Sequence, residues 1–229
     1  MSTQFKLPLA SPLTYAREDF AVSPSNAAAV ARVDAWPDWA EGRLALVGPA
    51  GCGKSHLARS WAQATGAVVV EAADPAAPAV DLAALRGRAV LVEDADRRSD
   101  SAHFNDETLF HILNMAGVDG GTVLLTGRTT PVGWATSVAD LRSRLNALSV
   151  AQIDEPDDAV LHAVLKRAFA AAWWNPEPDL YPYLIARLPR SAAEAQAAAA
   201  LLAEAAEDGR RELTKALARE VLGDFEGEE

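Results

Sequence analysis

A glycine-rich motif at residues 48–55 constrains this chain more than any other feature. It lies between a short apolar run at 43–47 and a helical pattern at 55–65, and it consists of Gly48, Pro49, Ala50, Gly51, Cys52, Gly53, Lys54 and Ser55. Glycines let successive backbone N–H groups turn toward phosphate oxygens, and the following helix adds partial positive charge. We therefore predict a phosphate-binding loop (P-loop), with Lys54 at the β- and γ-phosphates of a nucleotide and the Ser55 hydroxyl on Mg²⁺.

A second motif places two acids directly at the end of another apolar run, 89–93. Glu93 and Asp94 would lie at the carboxyl edge of a parallel sheet, where open α/β sheets bind ligands. This Walker B pattern predicts that Glu93 holds Mg²⁺, directly or through water, and that Asp94 orients an attacking water. Glutamate is less usual than aspartate as the first acid, so the division of roles stays open. The alternative is a solvated strand end.

Short β-branched or leucine-rich runs alternate with loops and helical patterns through most of the chain, at residues 43–47, 67–71, 89–93, 105–115 (helical) and 122–126. This alternation predicts an α/β fold, with a parallel sheet covered by helices on both faces. From about residue 155 the sequence becomes alanine-rich, with proline-punctuated helical patterns at 158–173, 180–188, 191–206 and 212–222. We divide the chain into a tail (1–12), a nucleotide-binding α/β domain (13–154) and a small helical lid domain (155–229).

Composition disfavours several classes of function. The net charge is −11, with 32 acidic against 21 basic side chains, whereas affinity for DNA depends on clustered Lys and Arg. No apolar run approaches the roughly 20 residues that cross a bilayer, so we expect no membrane partner. The single cysteine, Cys52, allows no internal disulfide and favours a reducing, cytoplasmic location. The four histidines show no metal-ligand spacing.

These motifs resemble the DnaA branch of the AAA+ class, which contains the bacterial replication initiator and the shorter Hda-like regulators that inactivate it. The resemblance covers nearly the whole chain and implies an AAA+ P-loop core that binds ADP or ATP with Mg²⁺. Residues 15–26 look like the family segment that precedes the core and packs against the adenine. This implies a nucleotide contact for Phe20 and Val22, although ordinary core packing explains these two side chains equally well.

Three further positions take roles from the resemblance. Residues 140–145 are similar to the family's arginine-finger box, which implies that Arg144 reaches the γ-phosphate of ATP in a neighbouring subunit. From local sequence alone, arginines at a helix end are more often a solvated face. Residues 188–191 resemble sensor 2, which implies that Arg190 folds back on the phosphates. Residues 124–131 occupy the sensor 1 position, but relatives usually carry an acid where Arg128 stands, so the contact would come from Thr126 or be lost.

The N-terminal residues 4–9 look like the clamp-binding hexapeptide of the Hda-like regulators, in which spaced side chains fill pockets on the DNA polymerase sliding clamp. The side chains concerned are Gln4, Phe5, Leu7, Pro8 and Leu9. Without the family, so short a segment is indistinguishable from a disordered tail. DnaA continues past its lid into a basic DNA-binding domain, whereas residues 223–229 are acidic, so we do not expect a complete initiator.

The resemblance thus implies a negative regulator of replication initiation that is tethered to the clamp and offers Arg144 to ATP bound by DnaA. It would contact DNA only through the clamp, associate with the nucleoid or replisome, and stimulate hydrolysis in its partner more than its own; a homodimer is a further option. Two alternatives remain. One is an adaptor in which nucleotide only sets conformation, and the other is a small-molecule P-loop kinase, disfavoured because no acceptor-binding insert is evident.

Overall fold

Five short parallel strands form the central sheet of the computed structural model, which describes residues 15–98, 104–209 and 211–223. The strands are β1 (Arg43–Val47), β2 (Val68–Glu71), β3 (Ala89–Glu93), β4 (Thr122–Gly127) and β5 (Val150–Gln152). Their order is β2-β3-β4-β1-β5, and every pairing is parallel. The four predicted strands are confirmed to within one residue at either end. The predicted clamp-binding hexapeptide lies outside the described residues.

Helices cover both faces of the sheet, as predicted: α1 (Ala27–Asp34), α2 (Lys54–Thr65), α3 (Asp106–Met115) and α4 (Ala139–Asn146). Because successive side chains of a strand point to opposite faces, β1 contributes to two separate cores. Ala45 and Val47 pack with residues of α3 and α4, whereas Leu44 and Leu46 pack with residues of α1 and α2. The two-layer covering therefore follows from the alternation within each buried strand.

The remaining helices enclose a third core of their own: α5 (Asp158–Ala171), α6 (Leu180–Ile185), α7 (Ala192–Gly209) and α8 (Lys215–Leu222). All four correspond to predicted helices, but their ends differ. Helix α5 ends before the predicted residue 173 because Trp173 adopts a left-handed φ of 61°, and the Trp174 N–H turns back to donate to the Phe169 carbonyl at 2.8 Å. Helix α8 begins after residue 212 because the Thr214 hydroxyl caps it.

Within the part of the chain that the structure describes, none of the helices combines the length and the apolar character required to cross a bilayer.

We expect Phe169→Ala to destabilise the helical core by about 3–5 kcal/mol, because the ring is fully buried and its loss leaves a cavity. Urea unfolding followed by circular dichroism measures the change. Leu201→Ala is the matched control in the same helical part, since Leu201 is 51% exposed, and it should cost no more than about 0.5 kcal/mol. Equal losses in the free energy of unfolding of the two variants would contradict the described packing.

Candidate functional site

The loop between β1 and α2 is shaped by backbone conformations that favour glycine. Gly51 and Gly53 have φ angles of 73° and 102°, in the left-handed region that residues with a Cβ rarely adopt. Gly53 is also the N-cap of α2, so the loop passes directly into the first turn of that helix. At the start of the loop, the Gly48 N–H donates to the Gly127 carbonyl of β4 at 3.3 Å. The predicted strand, loop and helix are therefore confirmed as a local structure.

The Lys54 amine lies inside the curl of this loop. It is the first residue of α2 and only 8% exposed, and its Nζ donates to the carbonyl oxygens of Gly48 at 2.8 Å and Pro49 at 2.7 Å. Cys52 is buried beside it, with its Sγ 3.8 Å from Nζ. Burial raises the pKa of the Cys52 thiol, against the opposing effect of Lys54. The loop thus holds a buried cation next to the backbone that would face the phosphates.

The two predicted metal ligands, Ser55 and Glu93, lie next to each other. Glu93 ends β3 and is only 6% exposed. Burial raises the pKa of the Glu93 carboxyl, while the charge of Arg59 and the nearby Ser55 hydroxyl act in the opposite direction. Its Oε1 is buried and has no hydrogen-bond partner among the described residues. A buried carboxylate oxygen without a partner beside a hydroxyl is a donor set that fits Mg²⁺, which prefers oxygen ligands.

This pair alone cannot fill an octahedral shell, and the described residues include no cluster of three or more His, Cys, Asp or Glu side chains suited to a metal. Phosphate oxygens and water would have to supply the remaining ligands, as is usual for Mg²⁺ at nucleotide sites.

Asp94 and Thr126 meet at the same edge of the sheet. Asp94 adopts a left-handed φ of 51°, and its N–H donates to the Thr126 hydroxyl at 2.9 Å. Thr126 is 1% exposed, and through this bond the sensor 1 candidate holds the backbone that follows Glu93. The Asp94 carboxylate is half-exposed and pairs with Arg97 at 3.3 Å.

Phe20 and Val22 have different environments. Phe20 packs on the start of α2: a Cβ added to Gly53 would lie 3.1 Å from its ring, and the ring centroid is 5.6 Å from that of His56. Val22 is 54% exposed. Phe20 is therefore a packing partner of the P-loop that stays partly exposed, and Val22 has the more exposed side chain of the two.

The helical part contacts the P-loop through the segment that precedes α7. The Ala192 N–H donates to the Gly51 carbonyl at 2.8 Å, and a Cβ at Gly51 would lie 2.1 Å from the Ser191 Oγ. The neighbouring Arg190 forms an ion pair with Asp158 at the start of α5. Arg190 also lines a cleft of about 640 Å³, with Pro24, Glu155, Pro156, Asp157, Asp158 and Ala159. The structure thus places the sensor 2 candidate beside the loop but in a contact with Asp158.

Arg144 lies at the other edge of the sheet. It occupies the last turn of α4, near Arg43. Burial lowers the pKa of Arg43 and the charge of Glu41 raises it, while the nearby positive charge of Arg144 lowers it further. Arg43 begins β1, whereas the P-loop follows Val47 at the far end of that strand, roughly 13 Å away at about 3.3 Å per residue. The structure does not bring Arg144 to the P-loop of its own chain.

Two contributors to the site do not belong to a recognisable motif. Arg59 contacts Glu71 and Glu93, and Ser191 contacts Gly51. Arg59 could have been found from its spacing, because it follows Ser55 by four residues and so lies on the same helix face. No local pattern indicates Ser191, because its contact with Gly51 depends on how the helices after β5 pack against the loop.

We expect Gly51→Ala to destabilise the protein more than Gly66→Ala. Both glycines are left-handed, with φ angles of 73° and 65°, so each change costs about 1–2 kcal/mol of backbone strain. Only at Gly51 does the new Cβ meet another group, Ser191, whereas nothing lies within 4 Å at Gly66. Overpacking should add about 1–3 kcal/mol, measured by urea unfolding. Equal losses would show that Ser191 does not pack on the loop.

In sequence, the chain matches no protein-family model and no curated protein. In structure, it resembles domain III of the Thermotoga maritima replication initiation protein DnaA, with a TM-score of 0.75 at 17% identity over 93% of this chain and 98% of the other. A replication initiator DnaA bound to AMPPCP and single-stranded DNA gives 0.63 at 18% identity, over 86% of this chain and 68% of the other.

The Thermotoga maritima RuvB Holliday junction branch migration motor gives a TM-score of 0.62 at 22% identity, over 82% of this chain and 64% of the other. Identities this low establish a shared architecture and nothing finer. With its five-stranded parallel sheet, its helices on both faces and a P-loop after β1, the chain has the AAA+ fold of DnaA domain III and RuvB.

Proposed function

We propose that this chain binds ADP or ATP with Mg²⁺ and acts in bacterial replication initiation as a regulator of DnaA. The convergence of Lys54, Ser55 and Glu93 at the carboxyl edge of an AAA+ sheet carries the proposal, because these groups supply a cation and two oxygen ligands beside a loop of backbone N–H donors. One similar DnaA structure is bound to AMPPCP, an adenine nucleotide analogue, which supports this class of ligand.

In this proposal each residue of the site has a defined task. The Lys54 amine exchanges the Gly48 and Pro49 carbonyls for phosphate oxygens, and Ser55 with Glu93 holds the metal, which neutralises phosphate charge when bound. Val22 lies against the base and Arg190 leaves Asp158 for the phosphates. The helices of residues 155–229 would act as a lid, because Ser191 and Ala192 contact the loop directly.

The regulatory part of the proposal rests on the position of Arg144. Its own P-loop lies at the opposite end of β1, so in this proposal the Arg144 guanidinium serves a nucleotide bound by another molecule. We propose ATP bound by DnaA as that nucleotide. An arginine finger supplied in trans is worth roughly 10³–10⁵ in hydrolysis rate, which is about 4–7 kcal/mol of barrier.

The proposed tether is the N-terminal hexapeptide, with Gln4, Phe5, Leu7, Pro8 and Leu9 on the sliding clamp. An extended peptide with alternating anchors suits a groove, and tethering to a DNA-loaded clamp raises the effective concentration without any new contact to DnaA. DNA contact would then be indirect, and the protein would act at the replisome.

A second candidate is an adaptor that binds nucleotide without promoting hydrolysis. It is favoured by the sensor 1 candidate, where the Asp94 carboxylate pairs with Arg97 and the Thr126 hydroxyl accepts from the Asp94 N–H. In that case ADP and ATP would change the affinity for a partner, while the rate of ATP hydrolysis by DnaA would not respond.

Lys54→Ala should weaken adenine nucleotide binding by about tenfold to a hundredfold, because one charge-assisted contact to phosphate is worth about 1.5–3 kcal/mol. Titration of a fluorescent ATP analogue in Mg²⁺ measures the affinity. Lys166→Ala, which removes an exposed lysine from α5, should leave the affinity unchanged. If wild-type protein shows no affinity for ADP or ATP at any Mg²⁺ concentration, the proposal is wrong.

Arg144→Ala should abolish stimulation of ATP hydrolysis in a mixture of DnaA–ATP, sliding clamp, DNA and this protein, while nucleotide binding by the variant is retained. The measured quantity is the rate of conversion of DnaA-bound ATP to ADP. Arg86→Ala is the control, because Arg86 is an exposed arginine paired with Asp119. Stimulation that survives Arg144→Ala would exclude the finger, and nucleotide binding without any stimulation would favour the adaptor.

A further inference from the structure

Arg59 connects the P-loop helix with the acidic edge of the sheet. It lies one helical turn after Ser55 on α2, and its Nη2 is 2.5 Å from Glu71 Oε1 and 3.5 Å from Glu93 Oε2. The guanidinium carbon also lies 5.3 Å from the centre of the Tyr15 ring, a cation–π distance. Arg59 is therefore fixed by two carboxylates and an aromatic ring.

The two carboxylates that Arg59 contacts are direct neighbours in the sheet. Glu71 ends β2, Glu93 ends β3, and the two residues are partners in the parallel register of these strands. Like charges directly opposite each other on neighbouring strands are destabilising. Burial alone would lower the pKa of Arg59, but the charges of Glu93 and Glu71 outweigh burial and raise it. Arg59 is thus a permanent cation between two acids that would otherwise repel each other.

The contact with Arg59 also distinguishes the two oxygens of Glu93. Oε2 faces the guanidinium, whereas Oε1 is buried and has no hydrogen-bond partner among the described residues. A carboxylate held through one oxygen has a defined orientation, and its other oxygen keeps its lone pairs for a ligand. Partners of this kind behind a metal ligand fix its geometry and are worth about 10–100-fold in metal affinity.

We infer that Arg59 is a positioning residue for the proposed Mg²⁺–nucleotide site: it occupies the space between Glu71 and Glu93, holds Glu93 through Oε2 and leaves Oε1 for the metal. The inference rests on the proposed function for the identity of the ligand. It adds a second task, which is to keep a divalent cation from binding between the two acids when nucleotide is absent. Arg59 fills that position with a charge that cannot dissociate.

Charge counting gives a test that needs no nucleotide. Together Arg59, Glu71 and Glu93 carry −1, Arg59→Met makes the total −2, and adding Glu71→Gln returns it to −1. Removing one positive charge at contact distance should raise the affinity of the two acids for a divalent cation by at least about tenfold. We expect Mn²⁺, titrated by electron paramagnetic resonance without nucleotide, to bind Arg59→Met at least tenfold tighter than wild type. The double variant should return to the wild-type affinity.

The double variant also separates orientation from charge. The relevant quantity is the ratio of the nucleotide Kd in EDTA to the Kd in Mg²⁺, which reports only the contribution of the metal. Because the double variant keeps the total charge but loses the contact to Oε2, we expect its ratio to fall by about tenfold relative to wild type. Arg86→Met, which breaks the exposed pair with Asp119, is the control and should leave the ratio unchanged.

Each outcome decides between the alternatives. Unchanged Mn²⁺ affinity in Arg59→Met would show that Arg59 does not keep cations from Glu71 and Glu93. A wild-type ratio of the two nucleotide Kd values in the double variant would show that Arg59 balances charge without orienting Glu93. Arg59→Lys is the substitute variant if Arg59→Met does not fold. It keeps the positive charge but loses the planar guanidinium, so Mn²⁺ affinity should stay at the wild-type level while the ratio of nucleotide Kd values falls. Lack of nucleotide binding by wild type would overturn the proposed function, whereas the Mn²⁺ titration would still test Arg59.

Discussion

The backbone of the loop between β1 and α2 is the feature on which the rest of the site depends. Segments that are distant in the sequence meet at its glycines: Phe20 at Gly53, the Ile153 carbonyl at Gly48, and Ser191 at Gly51. At Gly48 and Gly51 the approach is closer than a Cβ would allow, and at Gly53 a Cβ would lie only 3.1 Å from the Phe20 ring. The loop therefore joins the N-terminal segment, the end of the sheet and the helical part, and any ligand that reshapes it acts on all three.

The carboxyl edge of the sheet concentrates charge, and its arrangement follows from strand register. Parallel pairing of β2 with β3 places Glu71 beside Glu93, and the position of α2 on that sheet brings Arg59 to both. Lys54 lies on the same helix but is turned into the loop. One helix thus supplies two cations with different partners: one is held by exchangeable carbonyls and the other by carboxylates.

The two ends of β1 have different neighbours, so the nucleotide site and Arg144 of the proposed regulator lie at opposite ends of this strand. The P-loop follows the carboxyl end, whereas Arg144 and Arg43 lie at the amino end. A single chain with this geometry can hold a nucleotide at one end and present a guanidinium to another molecule at the other. This separation makes an interaction between two proteins the natural setting for Arg144, in the proposed role.

The sequence by itself determined the features that depend on neighbouring residues: the P-loop, four of the five strands and the helices of the C-terminal part. It did not predict α1, which has only eight residues, or β5, which has three. Only the tertiary structure decided that Arg59 joins Glu71 to Glu93, that Ser191 contacts Gly51 and that Arg144 lies away from the P-loop. The physical reason is that local conformation follows from local side chains, whereas contacts between distant segments depend on register and packing.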